Sequence, residues 1–437
     1  DSMAGNSEIR AGRLSKAEIE DNFSDLHPPL TRSAALIEAD RCYFCYDAPC
    51  TTACPTGIDI PAFIQKIRSD NLRGSARTIL SENIMGGMCA RVCPTEVLCE
   101  EACVRNTHEE KPVEIGLLQR YATDPVFEHS DQLFQRAAAT GKKVAVVGGG
   151  PAGLSCAHRL AVLGHNVTIF NRDSKLGGLN EYGIAAYKAI DDFAQTEVDY
   201  ILSIGGIEVR NNLMLGVNFG LDDLRQEYDA VFLGVGLALS NNLGVEGEEL
   251  DGVVNAIEYI AKLRQAADKS TLPVGRKIVV IGGGMTAIDV AVQSKRLGAE
   301  EVHMVYRRGP EQMSASVFEQ ALAQTSGVTL HHWASPARIL GDDFVTGVEF
   351  DVDRSDGGVR LDADVVFKAI GQRMDGNGLA SLASESGRFI VDEHQKTSSD
   401  KVWAGGDCVV GGNDLTVSAV QHGKIAAISI DRTLRSR

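Results

Sequence analysis

Two periods divide the chain. Up to about residue 136, apolar positions recur every three or four residues, in SAALIEADRC, IPAFIQKIRSD, SARTILSENIM and VEIGLLQRYATD. That spacing lines one face of an α-helix, so this region predicts a helical domain. A polar, alanine-rich joint, DQLFQRAAATGKK at 131–143, follows. Beyond it, short β-branched runs such as VAVVG at 144–148 and IVVIG at 278–282 alternate with helical stretches. Strand and helix in alternation predict an α/β region with parallel sheets. That region repeats itself: KKVAVVGGGPAGLSCAHRLAVLGHNVTIFNR at 142–172 has the plan of RKIVVIGGGMTAIDVAVQSKRLGAEEVHMVYRR at 276–308. Each copy reads strand, glycine turn, helix, Leu-Gly, strand, which predicts two Rossmann-like dinucleotide-binding units. RILGDDFVTGVEFDV and DADVVFKAIGQ read as further strands, and a closing helix begins near residue 415.

Length and charge narrow the function classes. A chain of 437 residues is too long for one compact core, so two or three domains are expected. The longest apolar runs are strand-sized, far short of the roughly 20 apolar residues of a membrane-spanning helix. DSMAGNSEIRAGR has no apolar core like that of a signal peptide, and its DSM reads as an expression remnant. A soluble, cytoplasmic protein is expected, with no membrane association. A formal charge of −16 opposes nucleic-acid binding, which needs a concentrated basic surface.

The glycine turns carry the first chemistry. Gly148, Gly150 and Gly153 form G-x-G-x-x-G between a strand and a helix that opens with Pro151 and Ala152. The first glycine permits the turn, the second admits a pyrophosphate, and the third lets helix and strand pack closely. About 20 residues on, an acid normally holds the adenosine ribose. Asn171 stands there instead and can accept a hydrogen bond without a charge to strengthen it. In the second copy Gly282 and Gly284 are followed by Met285, Thr286 and Ala287. Its second strand ends in Arg307 and Arg308, where a guanidinium suits a 2′-phosphate and favours NADPH over NADH. A solvated arginine pair at a strand end is the competing reading.

Eight of the ten cysteines lie between 42 and 103, and Cys156 and Cys408 stand alone. Cys42, Cys45, Cys50 and Cys54 are spaced C-x2-C-x4-C-x3-C-P, and Cys89, Cys93, Cys99 and Cys103 follow in CARVCPTEVLCEEAC. Clustered thiols without a secretion signal point to metal rather than disulfides. Short loops of this kind wrap an iron–sulfur cluster, and the cysteine before proline often crosses to a second one. Zinc competes for C-x2-C pairs. Cys156 reads as a core residue, and Cys408 has no nearby partner cysteine.

VWAGGDCVVGGNDLTVSAVQHGKIA at 402–426 resembles the carboxy-terminal signature of two-dinucleotide-domain flavoproteins. The resemblance implies that Gly406 and Asp407 hold the ribityl chain, and that the helix from Thr416 aims its N-terminus at the flavin ring. With Gly178 and Leu179 of GGLNEY, it makes the first nucleotide site an FAD site. DAPCTTACPTGIDIPAFI, CARVCPTEVLCEEAC and IGLLQRYATD extend the likeness: from about residue 30 onward the chain resembles the dihydropyrimidine dehydrogenase family, with the glutamate synthase small subunit a relative of the same plan.

That resemblance implies an all-helical domain at 1–136 binding two 4Fe–4S clusters. It implies an FAD domain at 137–250 and 364–437, and an NAD(P)H domain at 251–363 inserted in it. Cys42, Cys45, Cys50 and Cys103 would hold one cluster; Cys54, Cys93, Cys99 and Gln119 would hold the other. The synthase relatives carry a glutamate at the last position, so Gln119 favours the pyrimidine branch. Cys89, one helical turn before Cys93, is the alternative eighth ligand. The implied role is electron input from NAD(P)H through FAD and the clusters to an FMN- and iron–sulfur-containing subunit that reduces uracil or thymine. No stretch is left for an FMN barrel of about 250 residues, so a hetero-oligomer is expected. A glutamate-synthase-like subunit or a freestanding NAD(P)H:ferredoxin oxidoreductase is the alternative. No side-chain acid, base or nucleophile is required for the flavin half-reaction. Glu181 and Lys188 fall near the flavin by family position, Asp289 reads as structural, and the adjacent histidines of HHW make a poor metal pair.

Overall fold

The computed structural model describes residue 3 and residues 5–437; Asp1 and Ser2 of the expected expression remnant, and Ala4, lie outside the described residues. Three of the amino-terminal helices begin where the sequence supplies a cap. Thr31 accepts from the Ala34 N–H (3.2 Å) before Arg32–Asp40, Asp59 from Ala62 (3.1 Å) before Ile60–Arg68, and Asn71 from Gly74 (2.9 Å) before Leu72–Glu82. These caps satisfy donors that a first helical turn leaves unpaired. Along Ile60–Arg68, Ile60, Phe63, Ile64 and Ile67 share one buried face, each burial worth about 1.5–3 kcal/mol. Ile115–Glu128 buries Ile115, Leu118, Ala122 and Val126 against the same layer. The cysteines occupy the loops and short helices Pro49–Ala53 and Gly86–Val92 between these longer ones.

Two five-stranded parallel sheets follow. The first runs Val402–Ala404, Ala230–Leu233, Lys143–Val147, Asn166–Phe170, Ile207–Arg210. The second runs Val253–Asn255, Val365–Lys368, Lys277–Ile281, Glu301–Val305, Thr329–His331. In both, the central strand leads into the glycine turn, and the chain adds two strands on one side before it crosses to the other. That reversal of strand order opens a crevice at the carboxyl ends of the strands, where such sheets bind ligands. An antiparallel sheet, Ala334–Gly341, Val345–Val352 and Val359–Asp362, belongs with the second.

By compactness the chain forms two units: Asp1–Leu26, Tyr182–Ile190 and Leu239–Arg373 make one; His27–Glu181, Asp191–Ala238 and Met374–Arg437 make the other. The first contains the second sheet. Its core includes Ile9, Ile19, Phe23 and Tyr187, and Arg10 and Val274 exchange backbone hydrogen bonds of 3.2 and 3.0 Å. A buried ion triad braces it, with Lys188 Nζ 2.9 Å from both Asp289 and Glu319. The other unit contains the cysteine-bearing helices and the first sheet. Within it the closing helix Thr416–Arg435 lies against Pro151–Val162, and Ser155 Oγ donates to the Val420 carbonyl (2.7 Å). Among the described residues no helix is long and apolar enough to cross a membrane.

Gly423 makes that close helix approach possible, because a Cβ there would collide with the Ala152 carbonyl. Gly423→Ala is expected to destabilise the protein by about 1–3 kcal/mol and to lower its flavin content. Thermal melting and flavin absorbance check this; an unchanged melt would mean that the helices part freely.

Candidate functional site

Cys42, Cys45, Cys50 and Cys103 line one cavity, walled by Ile60, Ile64, Val113 and Ile115. Burial raises the pKa of Cys42 and pushes Cys50 up to about 11, and each also meets Cys103 as a like charge. Backbone donors already point at this sulfur set: Phe44 N–H to Cys42 Sγ and Val113 N–H to Cys103 Sγ, both 3.4 Å. The backbone turns tightly here, with φ of +52° at Phe44 and +37° at Ala48, conformations that cost about 1–3 kcal/mol each.

The second set is Cys54, Cys93 and Cys99, with Cys89 beside it. A hydrogen bond with Cys89, then burial, then the nearby Cys99 and Cys54 hold the Cys93 thiol far above its ordinary pKa. Cys99 is raised by burial first, then by Glu100 and Cys54. Thr56 Oγ1 lies 3.4 Å from Cys54 Sγ. Gln119, buried, donates Nε2 to the Gly86 carbonyl at 2.7 Å, which leaves Oε1 as its acceptor atom. Glu197, fully buried, accepts from the Met88 N–H at 2.9 Å; burial pushes its pKa up to about 8.

Crowded thiols in apolar surroundings resist ionisation unless a cation lies between them. Among the described residues no three His, Cys, Asp or Glu groups converge as ligands of a single ion would. The first set instead surrounds a volume, with N–H donors on its sulfurs, an arrangement that fits a multi-atom iron–sulfur cluster.

The residues of the first nucleotide turn fit a pyrophosphate. Gly148 turns at φ +105°, and a Cβ there would strike the Gly234 carbonyl; a Cβ on Gly153 would strike Gly148. Gly150 is the N-cap of Pro151–Val162 and offers no side-chain cap, so the first N–H groups remain available. Gly178 (φ +54°) comes close enough that a Cβ would lie 2.7 Å from the Gly150 Cα. Ala152 is buried, and Leu179 is 44% exposed beside Gly178.

Asn171 accepts from Gly149 N–H (3.3 Å) and donates to the Asp173 and Lys175 carbonyls (3.0 Å each) and to Asn211 (3.1 Å). Its amide thus ties the loop after the second strand to the glycine turn. Gly406 turns at φ +84° and donates to His422 Nδ1 (3.0 Å). Burial, then Asp414, pushes the Asp407 carboxyl up to about 6, with Arg388 opposing. Thr416 opens the last helix, whose N-cap Leu415 gives no side-chain cap, and its hydroxyl donates to Asn180 Oδ1 (2.9 Å).

The second nucleotide turn repeats the design. Gly282 (φ +145°) leaves no room for a Cβ against the Ala369 carbonyl, and Gly284 is the uncapped N-cap of Met285–Arg296. Met285 and Thr286, the first two residues of that helix, are half-buried, while Arg307 and Arg308 are exposed. Cys156 is buried, and Cys408 donates to the Gly405 carbonyl (3.3 Å), its pKa pushed up to about 11 by burial.

One polar contact had no sequence signal. Lys424, on the Thr416–Arg435 helix, donates to the Thr56 carbonyl (2.9 Å), the Glu82 carbonyl (3.0 Å) and Glu82 Oε2 (2.8 Å). The residues involved are hundreds of positions apart, so neither spacing nor periodicity could have indicated it.

Comparison with known proteins agrees with the two-part plan. Residues 19–131 match the family model for dihydropyrimidine dehydrogenase domain II, 4Fe–4S cluster, and residues 142–423 match pyridine nucleotide-disulphide oxidoreductase. The chain is 34% identical to a Salmonella typhi homologue of the NAD-dependent dihydropyrimidine dehydrogenase subunit PreT, over 95% of this chain and 98% of that protein. It is also 34% identical to the Escherichia coli glutamate synthase [NADPH] small chain, over 93% of each. Thioredoxin reductase of T. acidophilum shares the fold at a TM-score of 0.54 and 20% identity, covering 67% of this chain and 99% of that one. Mycobacterium tuberculosis FprA in complex with NADPH does so at 0.56 and 18%, covering 68% and 85%.

Asp407 yields a pH test. Its folded pKa is raised from 3.8 to about 6, so the folded state binds the extra proton and stability falls as pH rises through that window. In flavin-free protein, Asp407→Asn is expected to raise stability by about 1–3 kcal/mol at pH 7.5, with the gain vanishing toward pH 4. Urea unfolding at both pH values measures it; a gain that is independent of pH would contradict the assignment.

Proposed function

Because this chain belongs to the family that holds the PreT subunits of NAD-dependent dihydropyrimidine dehydrogenase and the small chains of glutamate synthase, we propose that it is the electron-input subunit of a dihydropyrimidine dehydrogenase. It is an NAD(P)H-dependent flavoprotein oxidoreductase with FAD and iron–sulfur clusters as cofactors. The proposed partner is an FMN- and iron–sulfur-containing subunit that reduces uracil and thymine to 5,6-dihydropyrimidines. The observation that carries this reading is the interleaving of the thiols: Cys103 returns to Cys42 and Cys50, while Cys54 leaves them for Cys93 and Cys99. Two adjoining clusters form a wire, which a self-contained flavin enzyme has no use for.

The bound groups supply two-electron uptake from a nicotinamide and one-electron release through iron–sulfur centres. The chain's residues bind, orient and insulate. In this reading the sheet centred on Lys143–Val147 takes FAD and the sheet centred on Lys277–Ile281 takes NAD(P)H; the boundary expected at 364 moves past Val365–Lys368, which pairs in the second sheet. The uncapped amides after Gly150 take the FAD pyrophosphate, with Pro151, Ala152, Gly178 and Leu179 shaping its cradle. Asp407 takes the ribityl hydroxyls, from which a carboxylate accepts strong hydrogen bonds. The amide end of the Thr416 helix stabilises negative charge on the flavin ring. Gly284, Met285 and Thr286 present the second anion site, and Arg307 and Arg308 stand free for a 2′-phosphate.

Gln119 is the eighth cluster ligand in this reading. Its amide nitrogen is committed to Gly86, so the oxygen turns to the cluster, and a neutral oxygen in place of a thiolate leaves the cluster less negative. Cys89, one helical turn before Cys93, lies beside that set without ligating the cluster. The 34% identity to a glutamate synthase small chain supports a second reading, a synthase-like subunit.

Reconstitution separates the two. Uracil-dependent NAD(P)H oxidation with an FMN-containing partner is expected; ammonia- or glutamine-dependent oxidation with a synthase large subunit would favour the second reading. Iron analysis tests the ligand set: Gln119→Ala is expected to lower iron from about eight to about four per chain, while Cys89→Ala keeps it, and the reverse result would assign Cys89. Replacing Arg307 and Arg308 by Ala should raise KM for NADPH about tenfold and leave that for NADH unchanged in steady-state assays.

A further inference from the structure

Lys424 lies eight residues into the Thr416–Arg435 helix, about 12 Å from its start at 1.5 Å per residue. Its side chain is 9% exposed, and its three donors are all used, on the Thr56 carbonyl, the Glu82 carbonyl and the Glu82 carboxylate. Glu82 ends the Leu72–Glu82 helix, so part of this arrangement is a helix C-cap. A cap alone requires neither burial nor the second backbone partner. Thr56 is itself buried and follows Cys54 by two residues, with its hydroxyl 3.4 Å from the Cys54 sulfur.

The ion pair is also lopsided. The Glu82 side chain is 47% exposed while the ammonium is enclosed. Water screens the negative end, and the positive end acts through a low-dielectric interior. The buried face of the pair therefore presents net positive charge to the loop that carries Cys54.

We propose that Lys424 is a positioning residue that sets the reduction potential of the cluster held by Cys54, Cys93 and Cys99, by fixing the Cys54–Thr56 loop and by stabilising the electron added to that cluster. The inference rests on the ligand assignment made above. The electron comes from the reduced flavin, which is oxidised as the cluster is reduced, and no bond forms or breaks. A positive charge near a cluster favours its more negative, reduced state, so removing the charge disfavours reduction.

The test is a reductive titration of the holoprotein followed by electron paramagnetic resonance, with the second cluster identified as the signal lost in Cys54→Ser. Lys424→Met is expected to disfavour reduction of that cluster about tenfold, about 59 mV for one electron, while the first cluster stays in place. Lys424→Arg should restore the potential. Glu82→Gln, which removes the screened negative charge, should shift the same cluster in the opposite direction. Because Glu82 is partly exposed, this arm remains readable if Lys424→Met does not fold. A merely structural role predicts no such reversal of sign. Equal shifts of both clusters, no shift in either variant, or shifts of one sign in both would overturn the proposal. Failure of the underlying assignment looks different: Cys54→Ser would leave both cluster signals intact, which overturns the ligand reading and this proposal together.

Discussion

Thiols gathered in apolar surroundings repel one another as thiolates, and burial opposes their ionisation at the same time. Positive charge placed among them relieves both penalties, and the cysteine-bearing region is arranged around that need. Cys50 lies within the short Pro49–Ala53 helix and Cys54 caps its end, yet Cys50 faces Cys42 and Cys103 while Cys54 faces Cys93 and Cys99. One turn of helix thus serves two sites, and Cys99 also meets Cys50 as a like charge. Proximity of this kind suits one-electron transfer between neighbouring centres. It also ties the two ends of the region together, because Cys103 must return to the first loop before the Ile115–Glu128 helix can close the layer.

The α/β part solves a different electrostatic problem twice with one device. A strand, a glycine turn and an uncapped helix N-terminus present backbone N–H groups to an anion in both sheets. Beside the first sheet, the carboxyl of Asp407 is held in a setting that disfavours its charge. That cost fits the proposed role, in which bound ribityl hydroxyls would donate to the carboxylate. The closing helix then links the two proposed kinds of chemistry within one unit: its first turn holds Thr416, assigned above to the flavin side, and Lys424 reaches the Cys54 loop.

What the sequence made legible was local. The capped amphipathic helices, the two glycine turns and the duplicated strand–turn–helix plan follow from spacings of a few residues, and the structure forms them at those places. Cys89 and Cys93, one turn apart, were also readable as neighbours. Charged contacts were not. Lys424 with Thr56, Glu197 with Met88 and Lys188 with Asp289 join positions 368, 109 and 101 residues apart. Whether a lysine or glutamate is buried depends on tertiary packing that no periodicity encodes. Asn171 is intermediate: its position opposite the glycine turn was evident, but its full set of loop hydrogen bonds appears only in the fold.

The central claim is that the eight-cysteine region is interleaved rather than divided into consecutive groups of four. The most direct measurement compares Mössbauer and paramagnetic resonance spectra of anaerobically prepared Cys50→Ser, Cys54→Ser, Cys93→Ser and Cys103→Ser proteins. Interleaving predicts that Cys103→Ser damages the same cluster as Cys50→Ser, and Cys54→Ser the same cluster as Cys93→Ser. If Cys54→Ser instead matched Cys50→Ser, and Cys103→Ser matched Cys93→Ser, the account would be contradicted.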